Sequence, residues 1–155
     1  MTLILIMLML NSSVIGNSDA ESTYSILEGG RVSSRFGLRQ DPYTKDRQFH
    51  SGVDIAANAG TSIHPLAPGI VSFSGNYEGY GRLVVIQHGN DVTSHYAHCW
   101  GTKVRVGERV DSSTTIGFVG STGRSTGPHV HFELRYRGTP INPELILSAE
   151  EPFHG

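Results

Sequence analysis

The chain has 155 residues, enough for one compact domain with its own core and too few for two. Twelve Lys and Arg stand against fourteen Asp and Glu with no basic run, so nothing points to nucleic acid or another polyanion as a partner. A single cysteine, Cys99, rules out an intrachain disulfide and leaves no N-terminal cysteine to carry a lipid.

Leu3 to Leu10 is an unbroken apolar run, well short of the ~20 residues that span a bilayer. No stable membrane span is therefore expected. The run has the length of a secretory h-region, and Ser18 and Ala20 supply small residues before a cut after Ala20. Residues 1–20 thus read as a signal peptide, although no Lys or Arg precedes the run. The competing reading is a buried N-terminal strand or helix. Export to the periplasm, cell envelope or exterior follows from the first reading. Residues 21–30 form a polar lead-in, 31–147 one domain without low-complexity breaks, and 148–155 a loose tail.

Nineteen Gly and seven Pro suit short strands and tight turns, and the strand signals run along the whole domain. Gly69–Phe73 is the first. Leu83–Ile86 is a continuous apolar run that ends at the turn His88-Gly89-Asn90, from which Val92–His98 pairs back as a hairpin. Lys103–Val106 alternates, and Thr115–Val119 is a further short apolar segment. The clearest strand is His129–Tyr136. Its even members Val130, Phe132, Leu134 and Tyr136 belong on a core, and His129, His131, Glu133 and Arg135 on the opposite face. Only Pro143–Glu151 leans helical, with Pro at a first-turn position. The sum is an all-β domain of antiparallel strands.

Three histidine motifs can carry chemistry. In His50-Ser51-Gly52-Val53-Asp54 the four-residue spacing puts an imidazole and a carboxylate on one side of an extended path, and both are zinc ligands. In His129-Val130-His131 both rings leave one face, flanked by the turn-rich run Gly120–Pro128. In His95-Tyr96-Ala97-His98 an extended backbone sends His95 one way and Tyr96 and His98 the other, so at most one of these histidines meets the site. A catalytic zinc takes three protein ligands and one open position, which leaves two imidazoles for proton handling. Spacing alone does not decide which histidine binds and which acts on protons. Glu133 reads equally as a partner of the site or as a surface carboxylate, Cys99 as a small partly buried apolar residue, and His64, His88 and His154 as turn or tail residues.

From Gly30 to Leu147 the chain resembles the lysostaphin-type, or LytM-like, peptidoglycan metallopeptidases. The resemblance rests on Ser33–Gly37, the His50–Asp54 motif, Ala67–Val71, Gly79-Tyr80-Gly81, Tyr96-Ala97-His98, Val106-Gly107, Ile116-Gly117 and the run Gly120–Glu133, in that order. It implies a compact two-layer antiparallel β domain, barrel-sandwich-like, with the site in a groove of sheet and loops. It also implies that zinc is held by His50, Asp54 and His131, with His98 and His129 serving catalysis. The implied substrates are peptidoglycan peptides. The stretch Arg39–Thr44 is similar to relatives from diderm bacteria, which favours stem-peptide cross-links over glycine bridges. Two rival readings are a non-catalytic relative that binds or regulates an envelope partner, and a biotinyl or lipoyl carrier. The first is disfavoured because all five site positions are filled. The second is disfavoured because neither Lys45 nor Lys103 sits in a suitable tight turn.

Overall fold

The computed structural model describes residues 26–147, so the expected signal segment and C-terminal tail lie outside the described residues. Almost all of the regular structure is antiparallel β. The large sheet comprises β1 (Arg31–Ser34), β4 (Val53–Ala56), β6 (Gly69–Tyr77), β7 (Gly81–Gly89), β8 (Val92–Cys99), β10 (Arg109–Val110), β12 (His129–Tyr136) and β13 (Thr139–Ile141). Its order is β1-β4-β12-β8-β7-β6-β10, with β13 also on β12. A second sheet has the order β5 (Ser62–Ile63), β11 (Gly117–Phe118), β9 (Gly101–Thr102). A third is the hairpin of β2 (Gly37–Gln40) and β3 (Arg47–His50).

The period-2 alternation of β4, β7, β8 and β12 gives the large sheet two unlike faces. Val53, Ile55, Val84, Ile86, Tyr96, Val130, Phe132 and Leu134 turn to one side. They form a single cluster with Ile63, Leu66, Ile116 and Val119 from around the second sheet. This is the expected two-layer core. The Tyr96 ring is fully buried, and its hydroxyl is satisfied by Ser94 and by the Leu66 amide, each at 2.8 Å. The other face carries Asp54, His131 and Glu133, alongside a small patch of Leu83, Val85 and Ala97 covered by Phe73 and Tyr80. Ladder partners across this face are Asp54 with His131, His131 with Ala97, and Glu133 with His95.

Some local expectations change. The packed domain begins before Arg31, because Ile26 and Leu27 of the lead-in are buried in the main core. Lys103–Val106 is not a strand. Its amides make isolated bonds, Lys103 N–H to the Ile116 carbonyl at 2.9 Å, and the chain turns at Gly107, where φ is +92°. Val104 is buried while Val106 is exposed, so the alternation corresponds neither to a ladder nor to a buried face. Of Thr115–Val119 only Gly117–Phe118 pairs as a strand. The helix α1 is a single turn, Glu144–Leu147. The Asn142 side chain caps it, accepting from the Glu144 amide at 3.0 Å. No helix among the described residues is long and apolar enough to cross a membrane.

Candidate active site

The His50–Asp54 motif joins two sheets. His50 ends β3 of the hairpin and Asp54 lies on β4 of the large sheet, with Ser51-Gly52 as the step between them. Gly52 is required at that step, since a Cβ there would lie 2.2 Å from the Phe132 carbonyl oxygen and 2.9 Å from Glu133 Cγ. The close approach brings His50 over the polar face of β4 and β12. His50 Nε2 is 3.2 Å from Asp54 Oδ1 and 3.1 Å from His131 Nδ1, and His131 Nδ1 is 2.9 Å from the same Asp54 oxygen. All three side chains are nearly withdrawn from solvent.

The surrounding partners decide which ring nitrogen faces inward. His50 Nδ1–H donates to the Arg35 carbonyl at 2.8 Å, so its Nε2 presents a lone pair. His131 Nε2–H donates to Glu133 Oε1 at 2.8 Å, so Nδ1 is the nitrogen aimed at His50 and Asp54. Three ligand atoms therefore converge on one point, at separations slightly under the ~3.3 Å between ligand atoms of tetrahedral zinc. The donor set of two imidazoles and one carboxylate fits zinc.

Glu133, which the sequence left between partner and surface, is completely buried. Oε1 accepts from Ser51 Oγ at 2.6 Å, Tyr80 Oη at 2.8 Å and His131 Nε2, and Oε2 accepts from Arg135 Nε at 2.7 Å. Burial opposes its ionisation, but the donors from His131, Ser51 and Tyr80 outweigh burial and hold the carboxyl far below the usual carboxylate range. Asp54 is held down in the same way by His131 and His50 against its own burial. For His131, burial lowers the imidazole pKa, and the bonds to Asp54 and Glu133 reverse this and push it up to about 8.

His129 and His98 complete the cluster. His129 Nδ1–H donates to the Gly127 carbonyl at 2.8 Å, and its Nε2 stands 3.7 Å from Asp54 Oδ1. His98 Nδ1–H donates to the Thr122 carbonyl at 2.6 Å, and its ring centroid lies 4.8 Å from that of His129. Each ring is thus anchored through Nδ1 to a carbonyl of the 120–128 loop, leaving Nε2 as a lone-pair acceptor on the groove side. Burial pulls the His98 pKa down to about 4, which keeps this ring neutral at ordinary pH.

The expectation that His98 shares a face with Tyr96 fails, for a local reason. One extra residue on β8 opposes β7 here: Tyr96 pairs Val84 and Cys99 pairs Arg82. His98 takes φ of +62° in that bulge. A bulge re-aims its side chain, so Tyr96 stays in the core while His98 turns to the site. His95 lies on the same face as Glu133 but bonds Thr93. His64 donates to the Thr114 carbonyl, and His88 ties the Pro68 carbonyl to Ser94, so both serve packing. Cys99 is wholly buried.

A groove of about 680 Å³ runs over the cluster. One wall is the β2–β3 hairpin with Arg39, Asp41 and Tyr43, and the other is the 124–128 loop. The walls are tied by Arg124, whose Nη2 lies 2.8 Å from both Asp41 oxygens and whose guanidinium covers the Tyr43 ring. Asp41 also closes its own loop by accepting from the Tyr43 and Thr44 amides, and these bonds hold its carboxyl below the ordinary range.

The profile of peptidase family M23 matches residues 48–143, and the chain belongs to that family. It is 46% identical over 116 residues to the DD-carboxypeptidase/endopeptidase Mpg of Neisseria meningitidis, covering 75% of this chain and 27% of that protein. It is 35% identical over 138 residues to the murein hydrolase activator NlpD of Salmonella typhimurium, covering 88% of this chain and 34% of the relative. The chain therefore spans about a quarter to a third of these relatives' length. Among solved structures, the catalytic domain of lysostaphin from Staphylococcus simulans superposes with a TM-score of 0.72 at 26% identity, over 81% of this chain and 98% of that one. A zinc-containing peptidase from Vibrio cholerae gives 0.72 at 29% identity, over 84% of this chain and 40% of the other. The lysostaphin-type fold expected from the sequence is the fold observed.

Proposed function

We propose that this chain is a zinc metalloendopeptidase that hydrolyses peptide bonds of bacterial cell-wall peptidoglycan, in stem-peptide cross-links. The observation that carries the reading is the convergence of His50 Nε2, Asp54 Oδ1 and His131 Nδ1, with two further imidazoles offering free Nε2 atoms beside them. A zinc ion held by those three residues supplies a Lewis acid for the peptide carbonyl and for water. The chain's own part is to move protons and to position the peptide. His129, with Nδ1–H fixed to Gly127, accepts a proton at Nε2 and returns it to the leaving amine, or shares that task with neutral His98. The ring that does not carry the proton hydrogen-bonds the substrate oxygen as charge develops on it. The peptide lies in the groove between the hairpin and the 124–128 loop, and the activity belongs in the periplasm or cell envelope.

Similarity to a murein hydrolase activator supports a second reading, a module that regulates another envelope enzyme. The complete ligand set and both anchored imidazoles favour catalysis. His131→Ala is expected to lose zinc, and His129→Ala to keep zinc while losing turnover. Zinc retention and cleavage in both variants would remove the assignment.

A further inference from the structure

Two guanidinium groups line the groove, and they are in unlike states. Arg124 is neutralised by both oxygens of Asp41. Arg39, opposite Gln48 on the hairpin, has about a third of its side chain exposed. Its one ion-pair contact among the described residues is Asp54 Oδ2 at 3.8 Å, beyond hydrogen-bond reach. An arginine carries five N–H donors arranged to clasp a carboxylate. Here no hydrogen bond from them is formed within the described residues, and no polar atom of the side chain is sealed from solvent, so the donors open into the groove. A divalent ion on Asp54 would take up the carboxylate that stands 3.8 Å from Arg39, leaving the guanidinium without an ion pair among the described residues.

We propose that Arg39 is a specificity-determining residue that binds a carboxylate of the substrate. Because it lies beside Asp54, that carboxylate belongs within about two residues of the bond to be cut, at ~3.5 Å of chain per residue. The substrate class is then an acidic peptide, which stem peptides with free carboxyl groups satisfy and glycine bridges do not. The proposal rests on the peptidase reading given above and narrows it.

The test uses two synthetic cross-linked peptides that differ only in a free carboxylate or a carboxamide on the residue next to the scissile bond. Zinc-loaded protein is expected to cleave the acid faster by about 10- to 100-fold, the range of one charge-assisted hydrogen-bond pair. Arg39→Gln should erase that preference by slowing the acid alone, and Arg39→Lys should restore part of it. In parallel, binding of the acidic cleavage product to the zinc-loaded protein, followed by NMR shifts, should weaken in Arg39→Gln. Equal slowing of both peptides, or loss of zinc from Arg39→Gln, would show that Arg39 serves Asp54 and overturn the proposal. If the protein cleaves neither peptide yet binds the acid through Arg39, the peptidase reading fails and the carboxylate site stands. If it does neither, both fall.

Discussion

His131 Nε2–H donates a hydrogen bond to the fully buried Glu133 carboxylate at 2.8 Å, and this bond turns Nδ1 towards Asp54 and His50. Partners of this kind fix the tautomer of a ligand and raise its basicity. Glu133→Gln, which keeps an acceptor and loses the charge, is expected to weaken zinc binding about 10- to 100-fold. Glu133→Ala should cost about 3 kcal/mol of stability as well, since it strips Ser51, Tyr80 and Arg135 of a shared buried acceptor. Competitive zinc titration and urea unfolding measure the two effects. Unchanged zinc affinity in both variants would deny Glu133 its orienting role.

The left-handed backbone of His98 predicts an ordering between two variants that both lose the ring. A non-glycine residue at φ of +62° bears a cost of about 1 kcal/mol that glycine escapes. His98→Gly should therefore be more stable than His98→Ala by about 1 kcal/mol. Both should keep zinc and lose about 100-fold or more in turnover. The reverse order in thermal melts would place the strain elsewhere.

Gly52 lets the hairpin close on the large sheet. With backbone oxygen 2.2 Å from the added carbon, Gly52→Ala must push the Ser51-Gly52 step away from β12. The expected outcome is destabilisation of about 2–3 kcal/mol together with weaker zinc binding, because His50 moves while Asp54 and His131 stay. Full zinc affinity in a destabilised variant would mean that the chain relaxes elsewhere.

Stability without metal should depend on pH. Burial lowers the pKa of His131 and its two carboxylate partners more than reverse this, carrying it from 6.5 to about 8. A histidine raised in this way stabilises the fold fully below 6.5, and that contribution is lost as pH rises through about 8. Chelated protein should lose about 2 kcal/mol between pH 6 and 9, following ~1.4 kcal/mol per pKa unit. Zinc-loaded protein should not follow that curve, since the ion takes the place of the proton. Asp54 and Glu133, both depressed, add the opposite limb, with stability lost as pH falls below the carboxylate range. Denaturant midpoints across pH, with and without chelator, make the comparison.

The sequence showed most where one physical pattern acted alone. His129–Tyr136 alternates because one face meets the core and the other the groove, and its assignment to a strand and its face pattern match the structure. The hairpin of β7 and β8 was equally plain from an apolar run and its turn. Features set by tertiary contact were not legible. Nothing local distinguishes the Glu133 carboxylate from a surface acid, since its burial comes from Ser51 and Tyr80, distant in sequence. The bulge at His98 carries no glycine to announce it, and Lys103–Val106 alternates as a strand would but finds no neighbour to pair with. Arg39 gave no chemical signal until the hairpin placed it beside Asp54.

The most direct test of the central claim is digestion of intact peptidoglycan by the purified chain, zinc-loaded and chelated, with the products identified by mass spectrometry. New amine and carboxyl ends are expected at stem-peptide cross-links, appearing only with zinc and vanishing in His129→Ala. Folded, zinc-loaded protein that releases no fragments would contradict it and leave the regulatory module as the better reading.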